Sequence, residues 1–249
     1  MYMQKFLQSA REAAFAAGGL LRAHFGKELR VDANEKYDIK LELDRRSQAL
    51  IEAILLEHYP EHAIYGEEGI RGGSAQNPYQ WIIDPIDGTV NFFYGLPQFA
   101  ISIALRKKDE ILVGVIYDPI RDELWEAVKG SSPCLNGIPF SVSKRNLLSE
   151  AIISVGLSKT PESIDQAMPV FEKMVRSAKK CRLMGSASLD IAYVACGRLD
   201  AYMENQISLW DIAAGILLVE TAGGKVDLTP HATLPEKYSI IASNGCLSL

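Results

Sequence analysis

The chain has only four cysteines, Cys134, Cys181, Cys196 and Cys246, and they are far apart, with no Cys-x-x-Cys pair. That spacing argues against a zinc cluster and against a secreted disulfide framework, and it fits a reducing cytoplasm. Histidine is equally sparse: His24, His58, His62 and His231 all lie away from the acidic motifs described below. Positive charge is also short, with a formal net charge of −5 over 249 residues. General nucleic-acid binding needs a basic footprint, so no nucleic-acid partner is expected. No uninterrupted apolar run approaches the ~20 residues that span a bilayer, so no membrane partner is expected. The apolar patch Ala13 to Leu21 follows Arg11 and Glu12 and precedes Arg22, which reads as an amphipathic helix rather than a signal peptide. A cytoplasmic location follows from these expectations. The chain also lacks a Gly-x-Ser-x-Gly elbow and a Gly-x-x-x-x-Gly-Lys-Ser/Thr phosphate loop.

What is present is acid in strand-end and turn positions. Trp81-Ile82-Ile83 has the look of a buried strand, and it leads into Asp84-Pro85-Ile86-Asp87-Gly88-Thr89-Val90-Asn91. Pro85 and Gly88 set a turn that carries Asp84 and Asp87 three residues apart. The Asp-x-Asp-x-Thr pattern of aspartyl-phosphate enzymes would place them two apart, which disfavours a covalent aspartyl intermediate. Hard divalent cations want several oxygen ligands, and phosphate wants N–H donors and a metal. Asp, Pro and Gly are also ordinary turn residues, but matching acids elsewhere favour the metal reading. Those acids each have a structural alternative. Asp44 opens a helix and is equally an N-cap or a catalytic residue. Glu67 and Glu68, between Gly66 and Gly69, form a solvated turn or a second acid-bearing strand end. Asp211 stands at the mouth of an apolar helix, where a cap or dipole role is also open, and Glu204 is a strand-end acid.

Periodicity predicts a first helix from about Tyr2 to Phe25, a surface loop from Arg30 to Lys40, and a second helix running from Asp44 towards Pro60. A short strand at Ala63-Ile64-Tyr65 precedes a flexible connection, Ile70 to Tyr79. Strands at Phe99 to Arg106, Ile111 to Tyr117 and Glu123 to Val128 are joined as hairpins, and Lys129 to Pro139 reads as a loop. Lys144 to Glu150 is the best boundary between two halves of a single domain, residues 1–145 and 146–249. The second half alternates: strand Ala151 to Gly156, helix Ser163 to Ser177, strand Lys180 to Met184, helix Leu189 to Cys196. Strand Leu199 to Glu204, helix Trp210 to Thr221 with Gly223-Gly224 as its stop, and strand Tyr238 to Ala242 complete it. The fold class is α/β (α+β), with helices layered on mixed and antiparallel sheets.

Gly-Glu-Glu at 66 to 68, Asp-Pro-Ile-Asp-Gly-Thr at 84 to 89, Asn91 and Trp-Asp at 210 to 211 make this chain resemble the inositol monophosphatase family. The likeness runs from Lys36 to Gly224 with the motifs in the family's order. It implies a layered α/β/α/β/α sugar-phosphatase fold, a homodimer, and a Mg²⁺-dependent, lithium-sensitive phosphomonoesterase with two or three Mg²⁺ ions. It implies Glu67, Asp84, Asp87 and Asp211, with the Ile86 carbonyl, as metal ligands. Thr89, hydrogen-bonded to Asp44, would orient the attacking water, with Glu67 also in the catalytic group. The N–H groups of Gly88 and Thr89 would hold phosphate, and Gly185, Ser186, Ala187, Glu204 and Asp211 would contact substrate. All-oxygen ligands suit magnesium, and paired divalent ions about 3.5–4 Å apart activate water at neutral pH. The implied substrate is a small phosphorylated polyol or sugar, with inositol monophosphate favoured by Asn91 and Glu204. Fructose 1,6-bisphosphate, a 3′-phosphoadenosine nucleotide and histidinol phosphate are alternatives on the same fold, and a non-catalytic regulatory binding protein is a different class. The family's Asp-x-Val-Thr-x-x-Asp run is replaced by Asp38-Ile39-Lys40-Leu41-Glu42-Leu43-Asp44, after a short Lys36–Asp38 loop. Tyr94-Gly95 stands where His-Gly is frequent, at a position expected near substrate.

Overall fold

The computed structural model describes residues 2–34, 39–71, 77–158, 160–234 and 236–249, so Lys36 and Asp38 lie outside the described residues. Its elements stack in five layers. The outermost holds α1 (Tyr2–His24) and α2 (Glu42–His58), with the two-stranded hairpin β1 (Val31–Asn34) and β2 (Ile39–Leu41) between them in sequence. Alanine and leucine recur at helical spacing along α1, so Ala10, Ala13, Ala14, Ala17 and Leu21 are fully buried against the next layer.

That next layer is an eight-stranded sheet of β3 (Ala63–Gly66), β4 (Gly69–Arg71), β5 (Tyr79–Asp87), β6 (Ala100–Lys107), β7 (Glu110–Asp118), β8 (Glu123–Val128), β9 (Cys134–Leu135) and β10 (Ile138–Pro139). Its order is β10-β9-β8-β7-β6-β5-β3-β4; neighbours are antiparallel except β3 and β5. Alternation along β5 sends Trp81 and Ile83 into the core under α1 and α2, and Ile82 into the core on the opposite face. A sheet buried on both faces explains why β5 and β6 read as near-continuous apolar runs.

The middle layer is formed by α5 (Ala187–Ala195) and α6 (Leu209–Thr221). Both are apolar nearly all round because each face meets a sheet. Beyond them lies a five-stranded mixed sheet, β12-β11-β13-β15-β14, built from β11 (Ile152–Val155), β12 (Lys180–Arg182), β13 (Ala201–Ser208), β14 (Lys225–Pro230) and β15 (Lys237–Ser243). α4 (Pro161–Ser177) covers its outer face, with Met174 packed on Ile153, Ala201 and Met203. The short α3 (Thr89–Phe93) follows β5 directly. The expected α/β/α/β/α layering of mixed and antiparallel sheets is therefore observed. No described helix is long and apolar enough to cross a membrane.

Several expectations are corrected. Within the segment expected as a surface loop from Arg30 to Lys40, residues 31–34 pair antiparallel with 39–41, from Val31↔Leu41 to Asn34↔Ile39, and residues 35–38 lie outside the described residues. The connection after Ile70 begins as strand β4, and the loop after Lys129 contains the two-residue strands β9 and β10. β14 has no counterpart in the sequence reading.

Candidate metal and active site

The site forms where three layers meet. β5 pairs with β6 in regular register until Asp84, and the register shifts between Asp84 and Asp87. Pro85 has no N–H to give the ladder, so the chain bulges there and both acids turn out at the strand's end. Gly88 then adopts φ 94°, in the left-handed region, and starts α3. A Cβ at this point would sit 2.9 Å from the Gln98 carbonyl oxygen and 3.1 Å from that of Gly185, so the close backbone approach requires glycine.

The third acid comes from the middle layer. Asp211 is in the first turn of α6, and its Oδ2 accepts the Ser208 N–H at 3.0 Å. Asp84, Asp87 and Asp211 bring carboxylate oxygens within 4.8 Å of one another. Asp84 is 1% exposed and Asp87 7%, while Asp211 is half-buried. Burial, then the charges of Glu67, Asp87 and Asp211, push the Asp84 carboxyl well above the usual carboxylate range. Burial and the Asp87 charge push Asp211 up to about 7, opposed by a hydrogen bond shared with Asp84 and by the Lys237 charge. Asp87 is raised by burial despite three donors from the start of α5: Ser186 Oγ at 2.6 Å, Ser188 N at 2.7 Å and Ala187 N at 3.3 Å. Three acids facing one another, two of them buried and one half-buried, repel unless protonated or given a counter-charge. The donor set is entirely carboxylate oxygen, so the residues present fit a hard divalent cation.

Glu67 lies in the β3–β4 turn, outside that tight cluster, yet its charge is the largest of those acting on Asp84. Its N–H donates to the Ile83 carbonyl at 3.2 Å, which ties the turn to β5. Gln48 of α2 holds the same turn by accepting the Glu68 N–H at 3.0 Å, and Gly66 leaves the room that its amide fills. No sequence signal pointed to Gln48.

Asp44 does not cap α2 from the N-cap position. The helix starts at Glu42, and Asp44 sits in its first turn, accepting the Leu41 N–H on Oδ2 at 2.7 Å. Its other oxygen accepts the Thr89 hydroxyl at 3.3 Å, while the same hydroxyl has the Ile86 carbonyl at 2.9 Å. Thr89, Asp44 and Ile86 are thus assembled as one unit beside the acids. Leu41 is buried in the core at 1% exposure. Tyr94 is 69% exposed at the C-terminal end of α3, with its ring edge-on to Phe93.

A cavity of about 420 Å³ opens beside Asp87 and Asp211 and is lined by Gly185, Ser186, Ala187 and Glu204 among others. Ser186 and Ala187 direct polar atoms onto Asp87, as the distances above show. Asn91 fixes this wall, its Nδ2 donating to the carbonyls of Gln98 at 2.8 Å, Met184 at 2.9 Å and Gly185 at 3.2 Å. Glu204 is in the middle of β13 rather than at its end, because the strand resumes after a bulge and reaches Ser208. Burial pushes its carboxyl up to about 8, opposed by the hydroxyl of Tyr202, which donates to Glu204 Oε2. Gly156 makes space for this pair, since a Cβ there would overlap Glu204 Oε2 at 1.9 Å. Behind them Asp190 is buried and raised by burial, with Ser154 donating to it at 2.8 Å. An acid inside the apolar run Leu189 to Cys196 was the available signal for it.

Comparison with known proteins agrees with this arrangement. The sequence profile of the inositol monophosphatase family matches residues 2–248. The chain is 41% identical over 250 residues to a protein of Pseudomonas aeruginosa named Nus factor SuhB, covering 97% of this chain and 92% of that protein. It is 37% identical over 246 residues to an inositol-1-monophosphatase of Synechocystis, covering 98% of this chain and 86% of that protein. Among solved structures it superposes on the inositol monophosphatase of Anabaena (Nostoc) with a TM-score of 0.86 and 37% identity, covering 99% of this chain and 93% of that one. With its fold, its acid triad and these relatives in agreement, the chain belongs to the inositol monophosphatase family.

Proposed function

We propose that the chain is a Mg²⁺-dependent phosphomonoesterase, with inositol monophosphate as the favoured substrate. The observation that carries this reading is the triad of buried Asp84 and Asp87 at a strand end and half-buried Asp211 in the first turn of α6, three like charges gathered beside a cavity. These three, with Glu67 and the Ile86 carbonyl, would hold two or three Mg²⁺ ions. When bound, such ions lower the pKa of water and neutralise phosphoryl oxygens. The chain's own residues then do the positioning. Thr89 orients the attacking water, and Asp44 Oδ1 takes up the proton that the Thr89 hydroxyl relays. The N–H groups of Gly88 and Thr89 hold the phosphate. Gly185, Ser186 and Ala187 form the wall beside it, and Glu204 accepts a hydroxyl of the alcohol portion.

A phosphate-release panel tests this: inositol monophosphates, fructose 1,6-bisphosphate, a 3′-phosphoadenosine nucleotide and histidinol phosphate, each with and without magnesium, and with lithium added. Magnesium-dependent release that is greatest with inositol monophosphate, blocked by lithium and lost in Asp87→Asn is expected. Near-normal turnover of Asp87→Asn at saturating magnesium would defeat the mechanism. A second reading, action by partner binding without hydrolysis, is favoured by one observation, the Nus factor name of the 41%-identical relative. Absence of hydrolysis across the panel would support it.

A further inference from the structure

Among the described residues, a cation is tied to the N-cap of α6, beside the acid cluster, from a direction that none of the motifs covers. Lys237 opens β15, and the antiparallel register places it directly opposite Ser208. Its Nζ donates to Ser208 Oγ at 2.5 Å and lies 5.9 Å from the centroid of the Trp210 ring. Ser208 is the N-cap of α6, is 2% exposed, and is the residue whose N–H holds Asp211 Oδ2 at 3.0 Å. The ammonium is therefore fixed to the same residue that orients one acid of the triad. Register sets its backbone, the serine hydroxyl sets its head group, and the indole face accommodates its charge.

We propose that Lys237 is a positioning residue that acts as a counter-charge to the Asp211 side of the triad and sets the affinity of the proposed cation site. In the cation-free protein it relieves part of the repulsion among the acids. When a divalent ion arrives, the same charge repels it, so the site holds its ion less tightly than the carboxylates alone would. A further observation agrees. Lys237 is half-buried at a sheet–helix junction, where screening by salt is weaker than at an open surface.

The inference rests on the proposed cation site and is tested by affinity rather than turnover. Calorimetric titration of the full chain with MgCl₂ and, separately, MnCl₂ compares wild type, K237M and K237R at pH 8.5 in low salt. K237M is expected to bind on the order of three- to tenfold more tightly, with the gap narrowing as salt is added, and K237R to match wild type. Merely structural damage would weaken binding, so tightening is diagnostic. If wild type binds the ions and K237M binds them equally or more weakly, the role of Lys237 is refuted while the site stands. If wild type binds neither ion at millimolar concentration, the site and the inference both fall. K237Q gives the same comparison should K237M fold poorly.

Discussion

Replacing Asp211 with asparagine should stabilise the metal-free protein, although it removes a hydrogen-bonded residue from the first turn of a helix. The Asp211 carboxyl moves from 3.8 to about 7 on folding, mainly through burial and the Asp87 charge. A shift of that size corresponds to about 4 kcal/mol of folding free energy that ionisation opposes. Partial solvent access reduces this, and about 2 kcal/mol is the expected gain at pH 8. The sign follows from linkage. A carboxyl raised in the folded state contributes stability that is fully present below pH 3.8 and lost as pH rises towards 7. Wild-type protein in EDTA therefore becomes less stable across that window, and the Asp211→Asn variant, with no proton to lose there, declines less. Urea unfolding at pH 5 and pH 8 reads this directly, with a midpoint for the variant about 1 M higher at pH 8. Magnesium reverses the order, because wild type gains stability by binding and the variant loses a ligand. A variant less stable than wild type in EDTA at pH 8 would refute the claim that this carboxylate is electrostatically costly without a cation.

Gly88→Ala places a Cβ against two backbone carbonyls at a left-handed φ, and about 3 kcal/mol of stability should be lost, seen as a lower unfolding midpoint in denaturant. Asn91→Ala removes three hydrogen bonds to the wall containing Gly185 while leaving the acids in place. It should raise KM more than it lowers kcat, and hydrogen exchange should show faster opening around residues 184 to 187.

The layering was legible because period-3.6 and period-2 apolar patterns match the elements that bury them. α1, α5, α6 and the β5–β8 run follow those patterns closely. Elements were missed where burial does not impose a pattern. β14 is exposed at most positions, and its apolar residues mark no face. The two-residue strands β9 and β10 are too short to show alternation. Glu204 was misplaced to a strand end because the bulge after it, with Gln206 at φ 64°, interrupts the period before β13 resumes. The central motif announced Asp84 and Asp87 by their turn chemistry. Lys237 and Gln48 could not be found that way, since register and helix packing alone bring them to the site.

The alternative that the sequence posed for Asp44 and Asp211, helix cap or functional acid, dissolves in the structure. A carboxylate has two oxygens. Asp44 gives Oδ2 to the Leu41 N–H and Oδ1 to Thr89, and Asp211 gives Oδ2 to the Ser208 N–H while facing the other acids. Asp87 is held in the same manner from outside its own element, by the first turn of α5. Each of these acids is clamped at a helix N-terminus, where free N–H groups and the helix dipole favour its negative charge. Reaching back along the helix also fixes the side-chain rotamer, so the acid remains in place without a bound ion. The capping interaction would thus supply the preorganisation that a metal-binding carboxylate needs, and the cap and the proposed function call on two different oxygens of one group.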